Sequence, residues 1–166
     1  MAIDKKFSFI RDPFRTNEFV VEIDGQNFVC DKVSGLKLGE TGTVEQYDNQ
    51  TNAVYKVSSG VVKWPSLTLE TAFCGKQNEK NILEWWKETF NIANSGVPGS
   101  DGTYGSSSSR RNLNIIKYHF GQVAARWLVK EAWLKSVEFS ELEAGSENVF
   151  KITVVLEHEG LELILS

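Results

Sequence analysis

With 166 residues, a net charge of −4 and a pI near 5.3, the chain has room for one domain burying roughly two-thirds of its unfolded surface. Apolar residues make up 41% and charged residues 24%, the balance of a soluble globular protein and not of a fibrous or disordered one. Nothing basic clusters beyond Arg110-Arg111, which argues against a dedicated nucleic-acid binder.

The amino-terminal MAIDKKFSFIRDPF has no continuous apolar stretch and no small-residue cleavage site. No run anywhere approaches the ~18 apolar residues of a membrane span. Neither a signal peptide nor a spanning helix is expected, and the chain reads as made and folded in a cytoplasm. Residues 1–17 read as an extended leader in which Phe7, Phe9, Ile10 and Phe14 pack onto the body or onto a neighbour, with Pro13 fixing a bend. Asn17 to Ile23 is a strand, Asp24-Gly25 a tight-turn signal, and Gln26 to Val33 its hairpin partner. Within that partner Cys30 reads as a small buried thiol. Cys30 and Cys74 form neither a disulfide scaffold nor a CxxC pair.

From Val33 to Glu70 the chain starts apolar, turns polar through Glu45 to Asn52, and returns to Val54, Tyr55, Val57, Val61 and Val62. Such runs, bounded by Gly, Asn and Asp, read as two strands joined in a long hairpin arm over 36–62. An isolated two-stranded hairpin is marginal in water and its edges invite pairing. Either a neighbouring subunit completes the arm or it is a mobile surface hairpin. Pro65 cannot donate to a ladder and marks an edge, a bulge or a strand start. Leu67 and Leu69 alternate with Thr68 and Glu70, one buried face and one wet.

Residues 78–93 carry Ile82, Trp85, Trp86, Phe90 and Ala93 at helical spacing, with Asn78 as N-cap and Glu79 in the first turn. The adjacent tryptophans read as core anchors of a helix that covers a sheet. Residues 94–109 are Gly/Ser-rich and read as a flexible loop; without a following Lys-Ser/Thr they do not form a phosphate cradle. Leu113, Ile115 and Ile116 open a strand that turns at His119-Phe120-Gly121. Gln122 to Ala132 places Val123, Ala125, Trp127 and Val129 on one face, with Arg126 and Lys130 on the other. An acidic turn at 141–147 precedes the clearest period-2 signal, Asn148 to His158, where Phe150, Ile152, Val154 and Leu156 alternate with Lys151, Thr153 and Glu157. The apolar tail Leu163, Ile164 and Leu165 requires cover.

Chemistry is sparse. His119 and His158 are the only histidines. Glu157, His158 and Glu159 are consecutive, so on a strand they point to opposite faces and do not converge on a metal. The serines at 106–109 lack a nucleophile elbow, and no carboxylate pair stands out as an acid/base couple. No catalytic residue, metal or cofactor is expected.

The order of motifs resembles the tail-tube protein family of contractile-tailed bacteriophages and phage-derived injection systems. The matching residues are Asp12-Pro13-Phe14-Arg15, Glu22-Ile23-Asp24-Gly25, Val33-Ser34-Gly35-Leu36, Leu67-Thr68-Leu69, Leu83-Glu84-Trp85-Trp86, Arg110-Arg111-Asn112, Ala125-Arg126-Trp127, Ala132-Trp133 and Glu157 to Glu162. Each is weak alone; together they span roughly 150 residues in order. A proline-containing motif of the family's return strand is here Lys56-Val57-Ser58-Ser59-Gly60, and the 94–109 loop is longer than the family norm.

The resemblance implies a mainly β fold: a small antiparallel β-barrel or sandwich with one flanking α-helix and the long hairpin arm. It further implies a structural, non-enzymatic subunit that closes into six-membered rings stacking into a hollow inner tube, a conduit for DNA or protein cargo. The implied partners are itself, a sheath protein and baseplate or tube-initiator proteins, with no membrane insertion. Leu36, Leu38, Val44, Tyr47, Tyr55 and Val57 are expected to bury against an adjacent subunit. Arg126, Lys130, Lys151, Thr153 and Glu157 are the candidates for the lumen or the ring surface. The rivals are a tube-initiating ring, a monomeric β-barrel binding a ligand or glycan through Trp64, Trp85 or Trp127, and an enzyme with an unrecognised carboxylate pair.

Overall fold

The computed structural model describes residues 13–89 and 110–165. In chain order it forms β1 (Phe19–Ile23), β2 (Gln26–Phe28), β3 (Lys32–Ser34), β4 (Glu40–Asp48), β5 (Ala53–Lys63), β6 (Leu67–Ala72), α1 (Gln77–Thr89), β7 (Arg111–His119), β8 (Gln122–Phe139), β9 (Lys151–Glu157) and β10 (Gly160–Leu165). One antiparallel sheet runs β2-β1-β7-β8-β9-β6-β3 with β10 also on β8, while among the described residues β4 and β5 pair only with each other. Phe7, Phe9 and Ile10 of the leader, Phe90 and Ala93 of the expected helix, and the 94–109 loop lie outside the described residues.

The 18-residue β8 organises the sheet. Its first half pairs with β7 and β10, and its second half with β9. Lys130 lies opposite Gly160 and Trp133 opposite Glu157, so β9 and β10 follow one line along β8. Glu131 breaks that line with φ 50, a left-handed backbone that bends the ribbon and shifts its alternation by one residue. Inward positions are therefore Ala125, Trp127 and Val129 before the bend, and Ala132 and Leu134 after it. Strands that switch sheets at such bends make the corners of sandwiches. The two half-sheets, β2-β1-β7-β8-β10 and β8-β9-β6-β3, share one core that includes Val21, Leu113, Val129, Leu67, Val154 and Leu156. Each such side chain contributes about 1.5–3 kcal/mol on burial. The end strands β2 and β3 do not pair, so the fold is an open sandwich and not a closed barrel.

Four local expectations change. The hairpin partner expected over Gln26 to Val33 divides: only Gln26–Phe28 pairs with β1, and Lys32–Ser34 crosses to β6. The crossing is pinned by the Asn78 side chain, which accepts from Val29 N–H (3.0 Å) and donates to Val29 C=O (3.2 Å). Asn78 is thus not the helix cap. The Glu79 carboxylate instead accepts from the backbone N–H groups of Cys74 and Lys76, both at 3.1 Å, the reach-back half of a capping box. Of the two tryptophans only Trp85 is a core anchor (0% exposed); Trp86, a helical step of about 100° further round, is 42% exposed. Val123 also leaves the core face, because the register shifts opposite Lys117 and Tyr118, where Ala124 stands as an extra residue between Val123 and Ala125. Cys30 is half-buried, and burial pushes its thiol up to about 11.

Candidate functional site

Two features stand apart from the packed body: the ribbon β4–β5 and an open mouth of the sandwich. At the ribbon's root the Val33-Ser34-Gly35-Leu36 motif has a steric cause. Gly35 has φ 87, and a Cβ there would lie 2.2 Å from the Ser66 carbonyl oxygen, so only glycine lets the outgoing and returning chains pass. Gly39 (φ 127) is similarly pressed against Val62. Lys37 binds Glu40 at 2.8 Å and holds that carboxyl below its ordinary value. At the tip Asp48 accepts from Gln50 N–H (2.9 Å) and the Thr51 hydroxyl (2.8 Å). Led by the Gln50 bond, these keep Asp48 ionised below the usual carboxylate range. Tyr47 donates to the Asn52 side chain at 2.7 Å, bracing the turn.

Residues directly opposite in an antiparallel pair share a face, and neighbours along a strand alternate. Val44 faces Val57 and Gln46 faces Tyr55, whereas Tyr47 faces Val54. Val44, Tyr55 and Val57 therefore share one face, and Tyr47 and Val54 lie on the other. All five are exposed, Tyr47 at 63% and Tyr55 at 53%. The ribbon is apolar on both sides and covers neither. Leu36 and Leu38 are exposed at its root.

The mouth follows from register. Across the first half-sheet the inward side chains form three rows: Ile23-Leu113-Val129-Leu161, Val21-Ile115-Trp127-Leu163 and Phe19-Lys117-Ala125-Leu165. The first row is fully buried, and α1 closes that end, packing Ile82 and Trp85 near Ile23 and Phe28. In the third row Leu165 is 70% exposed. Here the core opens into a groove of about 610 Å³ whose far wall includes Val33 and Leu36, with Phe14 at the lip. Lys117 sits in this row, buried, its ammonium donating to the carbonyls of Asn17, Glu18 and Tyr118. The groove was not anticipated; the only signal for it was a lysine at an inward position of an otherwise apolar alternation (Leu113, Ile115, Lys117).

The expected lumen or surface residues divide between the outward faces of the two half-sheets. Arg126 and Lys130 project from the first half of β8, with Lys130 paired to Glu162 at 3.1 Å. Lys151, Thr153 and Glu157 project from β9, with Lys151 paired to Glu70 at 3.2 Å. Burial alone would raise the Glu157 carboxyl, but the Ser66 hydroxyl (2.5 Å) and Lys135 (3.2 Å) outweigh it and hold Glu157 below its ordinary value. His158 is buried, and burial lowers its pKa below the ordinary 6.5. Of the tryptophans considered as ligand platforms, Trp85 is fully buried, Trp64 half-buried, and Trp127 lines the groove. Among the described residues no group of three metal-binding side chains converges.

The model of the family described as T4-like virus tail tube protein gp19 matches residues 15–162. The fold is similar to that of a chain in the PVC sheath–tube complex of an extracellular contractile injection system in the extended state, with TM-score 0.72, 17% identity and coverage of 99% of this chain and 100% of that one. It is also similar to a chain of the anti-feeding prophage cap, with TM-score 0.71, 17% identity and coverage of 95% and 94%. Hcp1 from Flavobacterium johnsoniae is more distant, with TM-score 0.52, 11% identity and coverage of 90% and 97%. No curated protein sequence matches the chain.

Proposed function

We infer what this chain does from its family: it belongs to the T4-like virus tail tube proteins, matched over residues 15–162. It is a tail tube protein of the contractile-tail and injection-system type. Beyond that, we propose that residues 1–166 act as a single tube domain, six copies of which close into a ring. The rings stack into a hollow inner tube that conducts DNA or protein cargo. Ring closure uses heterologous contacts that repeat at every interface. The observation that carries this is the β4–β5 ribbon, which among the described residues pairs with nothing else and exposes apolar side chains on both faces. Leu36, Leu38, Val44, Tyr47, Tyr55 and Val57 are the proposed contacts between copies. Arg126, Lys130, Lys151, Thr153 and Glu157 are left for lumen or ring surface.

Sheath and baseplate or initiator proteins are the proposed outer partners, in keeping with the sheath–tube and cap assemblies that hold similar folds. The role is structural and not enzymatic. Among the described residues no helix is long and apolar enough to cross a membrane. The proposed route is synthesis in the bacterial cytoplasm followed by assembly into a tail, a particle or an injection machine.

Negative-stain microscopy of the purified protein tests the proposal. Rings or hollow rods are expected. A clean ~19 kDa monomer at high concentration, the mass of the chain itself, would favour a self-contained ligand-binding sandwich. An initiator ring shares the fold, and its copy number in a particle, six against many, distinguishes it from the main tube.

A further inference from the structure

The ribbon joins the body through two short limbs, residues 35–39 on the way out and 64–66 on the way back. An arm of this length is a lever. The nine residues of β4 reach on the order of 30 Å, so a turn of about 10° at the root carries the tip roughly 5 Å. Whatever fixes the limbs therefore fixes where the arm's apolar faces point.

The outgoing limb is held by local bonds, from Lys37 N–H to the Gly35 carbonyl at 2.9 Å and from the Lys37 ammonium to Glu40 at 2.8 Å. Neither bond reaches the body. The returning limb is tied to it. Pro65 fixes its own φ, Trp64 packs on the core, and the Ser66 hydroxyl donates to Glu157 Oε1 on β9 at 2.5 Å. Lys135 reaches the same oxygen from β8 at 3.2 Å.

The two bonds are unequal. The Lys135 side chain is 58% exposed, and an ion pair so open to water contributes little. The Ser66 bond is partly buried and charge-assisted, which makes it the stronger. Gly35 also lies against the Ser66 carbonyl, so the outgoing limb rests on the one residue that Glu157 holds. Glu157 shares the outward face of β9 with Lys151 and Thr153, yet its carboxylate is engaged within the chain.

Resting on the reading of the ribbon as the contact arm, we propose that Glu157 is a positioning residue whose carboxylate, by gripping the Ser66 hydroxyl, sets the angle at which the ribbon leaves the body. Lys135 steadies the carboxylate and is secondary.

The test measures that angle directly. Spin labels are placed through Asn49→Cys at the exposed ribbon tip and Glu138→Cys at an exposed position of β8, with Cys74→Ser. The Cys30 thiol, pushed up to about 11, stays protonated and slow to label. A Tyr47→Asp/Tyr55→Asp background keeps copies apart, and double electron–electron resonance reads the distance from tip to body. With Glu157 and Ser66 in place a single narrow distance is expected. Glu157→Ala and Ser66→Ala should each broaden it and displace its mean on the order of 5 Å, as the lever requires. Ser66→Thr, which keeps the hydroxyl, should restore the narrow distance, and Lys135→Met should change it little. A distance unmoved by Ser66→Ala overturns the proposal. So does a Glu157→Ala chain that melts earlier while its distance stays narrow, the mark of a merely stabilising charge. Ser66→Ala removes one oxygen atom and carries the test should Glu157→Ala fail to fold. With Tyr47 and Tyr55 restored, Ser66→Ala is expected to lose or shorten rods; a broadened distance with unaltered rods overturns the ribbon's part in assembly and leaves the anchor standing.

Discussion

Tyr47 and Tyr55 stand on opposite faces of one ribbon, because Tyr55 lies opposite Gln46 and Tyr47 opposite Val54. Neither ring belongs to the core. Replacing both with Asp is expected to leave the body folded, with the thermal midpoint little changed, since surface substitutions away from the core cost within about 0.5 kcal/mol. The same variant is expected to form no rods. Calorimetry with negative-stain microscopy checks both halves, and unaltered assembly would refute the ribbon's role.

Gly35→Ala should be severely destabilising. It combines φ 87 with a Cβ 2.2 Å from the Ser66 carbonyl oxygen, so the left-handed cost of about 1–2 kcal/mol is joined by a clash that only backbone movement relieves. Gly60→Ala is the control: φ is 76, but nothing lies within 4 Å, and only the conformational cost remains. Urea unfolding of the two variants should separate them clearly; equal midpoints would disprove the steric account.

Trp85→Ala should cost about 3–5 kcal/mol, the range for emptying a buried aromatic site, and also removes the ring over which Arg111 lies at 5.1 Å. Trp86→Ala, at a half-exposed position, should cost under about 1 kcal/mol. Denaturant midpoints at matched slope measure the difference.

Acid should weaken the fold before carboxylates titrate. The His158 pKa is lowered from 6.5 by burial, with the backbone of Gly160 and Pro65 opposing in part. Between its folded value and 6.5 the unfolded chain binds more protons, so stability rises with pH across that window and falls as pH drops below 6.5. Lower still, protonation of Glu157 removes its bonds to Ser66 and Lys135. His158→Gln is expected to flatten the stability profile just below 6.5 while leaving the Glu157 window. An unchanged slope there would acquit His158.

Much of this was legible in the residues. Leu67/Leu69 and Ile152/Val154/Leu156 alternate so regularly that burial of one face of each strand followed directly. The ribbon could be read from its lack of core material. What escaped detection depends on partners distant in the chain. The bend at Glu131 is a property of paired backbones, and no residue type at that site announces it. The division of Gln26–Val33 into two strands depends on Asn78, far along the sequence and expected to cap a helix. The groove exists only because three rows from four strands line up, which local periodicity does not encode. Lys117 was the visible clue, since a lysine on an inward face needs acceptors around it.

The slip in register between Thr41 and Thr43, where Gly42 N–H turns to the Ser59 hydroxyl at 3.1 Å, has a consequence for the chain before it meets its partners. A long flat ribbon of Val and Tyr is a template on which further ribbons can stack edge to edge without limit. The irregularity, with Gly60 in a left-handed turn beside it, twists the strand rims out of plane and interrupts their donor and acceptor rows. Fibre growth along the rims is thereby disfavoured, and the broad sides remain open to finite, shape-matched docking.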